Sequence, residues 1–173
     1  MIVTAIRDTF GVPRSVLDVG CNAGPNLRRV HEEFPRCALA GFDVNAEAIA
    51  FAKTRFKEMG TTVALSVGTF DDELAGYEAD SFDLVISSFS LAYVPPRDLP
   101  RILGHCVRIA HRGLVLAEPL PFDAQRPEGV MSSTPDWRHD YRRALAGLGV
   151  TNVETHDAPE PGHEWSGLVV AVL

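Results

Sequence analysis

The sequence predicts an α/β fold with a mostly parallel β-sheet covered by helices on both faces. Short apolar runs alternate with segments whose apolar residues recur at helical spacing, as expected of parallel strands joined by helices. Gly and Pro together occupy 26 of 173 positions, which favours many loops between short elements. Only the loop APEPGH separates the last two runs, which predicts an antiparallel pair there.

The first half of the chain alternates strands and helices. Each strand is a short apolar or β-branched run, and each helix carries apolar residues three or four positions apart. Asn45 is a suitable N-cap for the second helix, and Gly60 ends it. In chain order, the predicted elements are strand Ser15–Val19, helix Pro25–Phe34, strand Cys37–Phe42, helix Ala46–Met59, strand Thr62–Val67 and strand Phe82–Ser87.

The second half begins with a helix that Pro95 and Pro96 open and that runs to about Ala110. The segment Pro119–Thr134 is rich in Pro, Gly and Ser without a period, and it predicts a loop over a site. The remaining predicted elements are strand Gly113–Ala117, helix Asp136–Leu148, whose aromatic and leucine side chains share one face, strand Val150–His156 and strand Trp165–Leu173.

Length and charge limit the classes of function. A chain of 173 residues is about one domain, and its net charge of −7 makes nucleic acid a poor partner. No segment resembles a signal peptide or reaches the roughly 18 apolar residues of a membrane span, so we predict a cytoplasmic protein that binds no membrane. Three widely spaced cysteines predict reduced thiols and no metal site.

The turn after the first strand is the most informative motif. In α/β sheets, ligands bind beyond the carboxyl ends of the strands. Gly20 and Gly24 remove the Cβ atoms that would keep a ligand away from the backbone, and Asn22 tolerates a left-handed conformation. Asp18, inside the apolar strand, needs hydrogen bonds from the turn or from a cationic group of a ligand. The G-x-N-x-G spacing disfavours a diphosphate and suits a ligand with an amino group, although Asp18 could instead cap its own turn.

The run VLDVGCNAGPNL resembles the first motif of the class I S-adenosylmethionine-dependent methyltransferases, and the resemblance extends through nearly all of the chain. It implies a Rossmann-like three-layer sandwich with seven strands in the order 3-2-1-4-5-7-6, strand 7 being antiparallel. It also implies one S-adenosylmethionine-binding domain over residues 1–173 and S-adenosyl-L-methionine as the cofactor.

The resemblance also implies cofactor-binding residues. In this family the second strand ends in an acid that binds the ribose hydroxyls, and LAGFDVNAEAIAFAK places Asp43 there, although an Asp at that position is by itself more often a helix cap. After strand three, Phe70 is expected to stack on adenine and Asp71 to bind its amino group, with a turn leading to an acidic helix start as the alternative. The complete expected set is Asp18, Gly20, Asn22, Gly24, Asp43, Val44, Thr69, Phe70, Asp71 and Ser88.

Two residues are candidates for catalysis. The family's reaction is an in-line displacement, which needs a base only if the nucleophile is protonated. The N-P-P-Y signature is missing after strand four, and no His pair stands at Ala92 and Tyr93. His139 is therefore the candidate base, with a solvent-exposed helical histidine as the alternative, and Tyr93 is expected to orient the substrate or to form a wall. Glu118 points toward the site by topology, and the family often uses an acid there as scaffold.

Three functions follow. The first is methylation of an oxygen or nitrogen of a small molecule, such as a sugar or a secondary metabolite. The second is an accessory subunit that binds S-adenosylmethionine without catalysis. The third, a nicotinamide-dependent oxidoreductase, is disfavoured by Asp18, by Asn22 and by the antiparallel end of the sheet. A homodimer, in which a partner subunit completes an open pocket, is left open.

Overall fold

The computed structural model describes residues 1–121, 137–157 and 166–173, together with the backbone of residues 129–130. One seven-stranded sheet has the order 3-2-1-4-5-7-6, as the resemblance implies. Strands β1 to β5 are mutually parallel, and β7 is antiparallel to both of its neighbours. The strands are β1 Ser15–Val19, β2 Ala38–Asp43, β3 Ala64–Val67, β4 Phe82–Ser88, β5 Ala110–Pro119, β6 Val153–Asp157 and β7 Ser166–Val172.

Helices connect the strands. Asn45 caps the third helix, its side chain accepting from the amides of Glu47 and Ala48. Three helical segments add to the predicted helices, at residues 2–10, 70–76 and 91–93, the second of them at the acidic helix start that the sequence offered as an alternative. The helices are α1 Ile2–Ala5, extended by the π-helical Ile6–Phe10, α2 Pro25–Glu33, α3 Ala46–Glu58, α4 Phe70–Gly76, the 3₁₀-helix Leu91–Tyr93, α5 Leu99–Ile109 and α6 Tyr141–Gly147. Across the described ranges, none of these helices has the length and hydropathy needed to span a bilayer.

The predicted helix Asp136–Leu148 is wrong at its start, because α6 begins only at Tyr141. Trp137–Arg138 is extended and pairs antiparallel with Gly129–Val130 in a short separate ribbon. The side chain of Asp140 accepts from the amide of Arg143, and this cap fixes the first turn of the helix after the ribbon. The predicted loop Pro119–Thr134 begins later than expected, because Pro119 is the last residue of β5. Most of that segment, like Asp136, lies outside the described residues.

Two apolar cores lie on opposite faces of the sheet. Side chains alternate between the faces along β1, so Leu17 packs into one core and Val16 into the other. Helices α4, α5 and α6 cover the first core, and α1, α2 and α3 cover the second. Burying one leucine or isoleucine contributes about 1.5–3 kcal/mol, so these layers hold the strand ends in place. The three cysteines, Cys21, Cys37 and Cys106, are buried and free, in agreement with reduced thiols.

Candidate functional site

The turn after β1 has the backbone conformation that its sequence predicts. Gly20, Asn22 and Gly24 all have positive φ, at 72°, 49° and 76°. A Cβ atom on Gly20 would lie 1.7 Å from the Oγ atom of Ser90, so only glycine fits there. Pro25 then starts α2 at its first turn. The turn therefore presents backbone, without intervening side chains, at the carboxyl edge of the sheet.

Asp43, the last residue of β2, joins two loops through its carboxylate. Its Oδ2 atom accepts from the amide of Asn22 at 2.8 Å, and its Oδ1 atom accepts from the amide of Asn45 at 2.9 Å. Because Asn45 supplies the N-cap of α3, the alternative that Asp43 itself caps this helix is wrong. The carboxylate lies instead at the centre of a polar edge between the first and second strands.

A cavity of about 480 Å³ opens at this edge, and we call it the first cavity. It brings together seven residues that the sequence singles out, namely Gly20, Asn22, Asp43, Val44, Phe70, Ser88 and Tyr93. Five further residues line it that were not among the expected site residues: Phe42, Asn45, Gly68, Phe89 and Ser90. All five lie within two positions of a named residue, so wider windows around the motifs would have included them. The first cavity is thus built from the ends of β1, β2, β3 and β4.

Asp18 lies behind the turn and is fully buried. Neither of its carboxylate oxygens has a hydrogen-bond partner in the part of the chain that the structure describes. Burial, followed by the charges of Asp43 and Glu118, raises the pKa of Asp18 to about 8. An unsatisfied buried carboxylate is costly, and a cationic or hydrogen-bond-donating group would relieve that cost. The two acceptor oxygens of Asp18 therefore fit the amino group that the sequence led us to expect.

Four expected cofactor residues lie away from the lining of the first cavity: Asp18 and three others. Gly24 is closest to the ring of Phe56, which a Cβ atom would meet at 2.8 Å. Thr69 caps α4 by accepting from the amide of Asp72 at 3.2 Å. Asp71, in the first turn of α4, pairs with exposed Arg101, whose hydrogen bond holds the pKa of Asp71 below its usual value. The cofactor roles expected of these residues, like those of the residues that line the first cavity, stay predictions.

His139 is fully buried and precedes α6, so the alternative of a solvent-exposed helical histidine is wrong. Its Nε2 atom donates to the carbonyl of Val94 at 3.0 Å, and its ring meets that of Tyr141 edge-on at 5.6 Å between centroids. His139 lines a second cavity of about 270 Å³, which also includes Leu120 and Asp157. The structure therefore places the candidate base and Tyr93 at different cavities.

Solved structures with this fold define the class. The crystal structure of magnesium protoporphyrin IX methyltransferase from Synechocystis, with bound S-adenosylhomocysteine, superposes with a TM-score of 0.76. The match covers 99% of this chain and 79% of that one, at 19% sequence identity. The fold is thus that of the class I S-adenosylmethionine-dependent methyltransferases, as the first motif implies.

Residues 16–113, more than half of the chain, match the family described as "Methyltransferase domain", and the chain belongs to that family. Aklanonic acid methyltransferase from Streptomyces sp. (strain C5) is 31% identical over 136 residues, 71% of this chain and 61% of that protein. The tRNA N(3)-methylcytidine methyltransferase of Drosophila melanogaster is 27% identical over 108 residues, 60% of this chain. The chain spans 61% of the first relative's length and 33% of the second's.

Proposed function

We propose that this domain transfers a methyl group from S-adenosylmethionine to an oxygen or nitrogen of a small molecule. The observation that carries the proposal is the fully buried carboxylate of Asp18, two residues before Gly20, which has no hydrogen-bond partner among the described residues. A cation is the natural partner of such a group, and S-adenosylmethionine carries both an ammonium and a sulfonium. Family membership supplies the rest of the argument, because methyl transfer is the chemistry for which the family is named.

Each end of the cofactor has a suitable partner at the edge of the sheet. Asp43 lines the first cavity and is proposed to accept both ribose hydroxyls, which a carboxylate does well. Phe70, held edge-on by Phe42 at 5.9 Å between ring centroids, is proposed to contact adenine. Asp18 is proposed to hold the amino group. The remaining proposed cofactor contacts are Gly20, Asn22, Gly24, Val44, Thr69, Asp71 and Ser88.

When bound, the cofactor supplies an electrophilic methyl group, and the protein's task is to place a nucleophile in line with it. Tyr93 lines the first cavity, is 60% exposed, and is proposed to orient the acceptor there. Because the Nε2 atom of His139 donates its proton to the carbonyl of Val94, Nδ1 is the nitrogen proposed to accept a proton if His139 acts as the base. We therefore expect His139→Ala to lower turnover only of acceptors that lose a proton, without changing the cofactor dissociation constant.

A small acceptor agrees with the size of the first cavity and with the net charge of −7. Sugars and secondary metabolites are the proposed acceptors, and the Streptomyces relative is likewise named for a small molecule, aklanonic acid. The Drosophila relative is named for a tRNA base, so tRNA is the informative competitor in a screen.

A second candidate function is a cofactor-binding accessory subunit without catalysis. The burial of His139 away from the first cavity favours it, because no histidine base then faces the acceptor within the described ranges. The two functions share the cofactor site and differ only in turnover.

Calorimetric titration with S-adenosylmethionine, S-adenosylhomocysteine and NADH tests both functions. We expect the two adenosyl compounds to bind and NADH not to bind. Transfer of a labelled methyl group to a panel of sugars, phenols, amines and tRNA then separates the candidates, with Asp43→Ala as the control. Turnover of a small molecule supports the enzyme, tight binding without turnover supports the accessory subunit, and no adenosyl binding overturns both.

A further inference from the structure

Glu118, near the end of β5, is a buried carboxylate with an unusual set of donors. It is fully buried. The backbone amides of Ser90 and Leu91 donate to its Oε1 atom at 3.1 and 3.2 Å, and the amide of Ala92 donates to Oε2 at 3.2 Å. The hydroxyl of Ser87, on neighbouring β4, donates to Oε1 at 2.6 Å. Three consecutive amides of one segment thus converge on a single side chain.

The segment that these bonds hold runs from Ser88 to Tyr93, and we call it the β4 loop. It forms one wall of the first cavity through Ser88, Phe89, Ser90 and Tyr93. Phe89 has a positive φ of 52°, a strained conformation for a non-glycine residue that persists only where neighbouring contacts enforce it. Its amide donates to the carbonyl of Ala117 at 3.0 Å, one residue before Glu118.

The opposite side of the β4 loop meets the glycine turn. The Oγ atom of Ser90 lies so close to Gly20 that a Cβ atom there would overlap it at 1.7 Å. The β4 loop is therefore fixed between two elements, the turn after β1 and the carboxylate at the end of β5. A shift of this loop would change the wall of the first cavity and the position of Tyr93 together.

We propose that Glu118 is a positioning residue that fixes the β4 loop and thereby shapes both the cofactor wall and the acceptor side of the site. This inference rests on the proposed function. It assigns Glu118 no contact with substrate or cofactor, because the carboxylate lies behind the loop backbone that it binds. Loss of its charge-assisted hydrogen bonds is expected to free the loop without unfolding the sheet.

Asp83 offers a matched control. It is also a buried acid, 4% exposed, but it lies at the start of β4, at the opposite edge of the sheet. Its carboxylate accepts from the backbone amide of Arg14 at 2.8 Å and from its guanidinium at 2.9 Å. Asp83→Asn therefore perturbs a buried carboxylate of the same sheet, far along the strand from the β4 loop.

The experiment measures amide hydrogen exchange of the free protein and cofactor affinity side by side in wild type, Glu118→Gln, Glu118→Ala and Asp83→Asn. We expect exchange at Ser90, Leu91 and Ala92 to accelerate by roughly tenfold in Glu118→Gln and by more in Glu118→Ala, with S-adenosylhomocysteine binding weakened in the same order. Asp83→Asn is expected to leave both readouts at wild-type values even where it lowers the melting temperature.

Several outcomes overturn the inference. Unchanged exchange in a folded Glu118→Gln protein would show that the β4 loop does not depend on the carboxylate, and equal acceleration in Asp83→Asn would make the effect a general loss of stability. If Glu118→Ala does not fold, Glu118→Gln still decides. If the wild type binds no S-adenosylhomocysteine, the proposed function fails, while the exchange data continue to test the positioning role by themselves.

Discussion

Asp18 and Asp83 are buried aspartates on neighbouring parallel strands, and their surroundings are opposite. Asp83, near the start of β4, accepts from Arg14 and lies 3.7 Å from a guanidinium nitrogen of Arg112. Burial acts to raise the pKa of Asp83, but the hydrogen bonds and charges of these arginines outweigh it and hold the pKa below its usual value. Asp18, at the other end of β1, has no such partner among the described residues, and its pKa is raised to about 8.

The comparison separates scaffold from site. At the amino edge of the sheet, a buried carboxylate is fully satisfied by the protein itself and stabilises the fold. At the carboxyl edge, the carboxylate of Asp18 has no partner among the described residues, which costs stability unless a ligand provides one. Unsatisfied polar groups of this kind are rare in native proteins, so their location is informative about binding.

The largest expected effect comes from exchanging the two acids for amides. Asp18→Asn removes the charge proposed to pair with the cofactor's ammonium, and we expect S-adenosylmethionine to bind roughly 100-fold more weakly, as for loss of a charged hydrogen bond of about 3 kcal/mol. Asp83→Asn should leave the affinity at its wild-type value and lower the melting temperature instead. Calorimetry and thermal unfolding of both variants check this, and an equal loss of affinity in both would erase the distinction between scaffold and site.

Asp43 tests the same edge from the second strand. We expect Asp43→Ala to weaken S-adenosylmethionine binding by more than about tenfold, because it removes both the proposed ribose acceptor and the bonds that tie Asn22 to Asn45. Asp157→Ala, an exposed acid at the end of β6, is the control and should bind normally. An unchanged dissociation constant in Asp43→Ala would count against the proposed ribose contact.

The pH dependence of stability tests the raised pKa of Asp18. In the unfolded chain, a carboxyl ionises near pH 4, whereas folded Asp18 keeps its proton up to about pH 8 and Glu118 up to about pH 7. The unfolded state then binds fewer protons, so these two groups make the free protein less stable as pH rises through that window. We expect the melting temperature of Asp18→Asn to fall less than that of wild type between pH 5 and 8, in matched buffers. Parallel curves for the two proteins would contradict the raised pKa of Asp18.

Asp71 should show the smallest effect. Because the exposed carboxylate of Asp71 is shared between Arg101 and the proposed contact with adenine, we expect Asp71→Asn to weaken cofactor binding by less than about threefold. A loss of more than tenfold, measured by the same calorimetry, would contradict a merely shared, exposed contact. Arg101→Ala separates the two contacts, since it breaks the ion pair and leaves the carboxylate.

Sequence reasoning succeeded where local chemistry fixes the conformation. Asn22 adopts the left-handed backbone that its residue type tolerates, and Asn45 caps its helix. The helix predicted over Trp137 was wrong. An aromatic residue three or four positions from another matches one face of a helix, but the same spacing also occurs where the first of them pairs in a β-ribbon. Sequence reasoning also missed α1 and the role of Asp140 as the cap of α6, and it gave the helix start at α4 only as an alternative.

The spacing of Asp18, Gly20 and Asn22 along the chain specifies the chemistry of the first turn, and the resemblance of that motif to a family implies the order of the strands. Which side chains come into contact depends on the three-dimensional packing of the chain. Glu118 reaches the amides of the β4 loop because parallel strands β4 and β5 end side by side, 31 residues apart along the chain at Ser87 and Glu118. His139 is buried against Val94 for a similar reason. Such contacts depend on packing between distant segments, which no local pattern specifies.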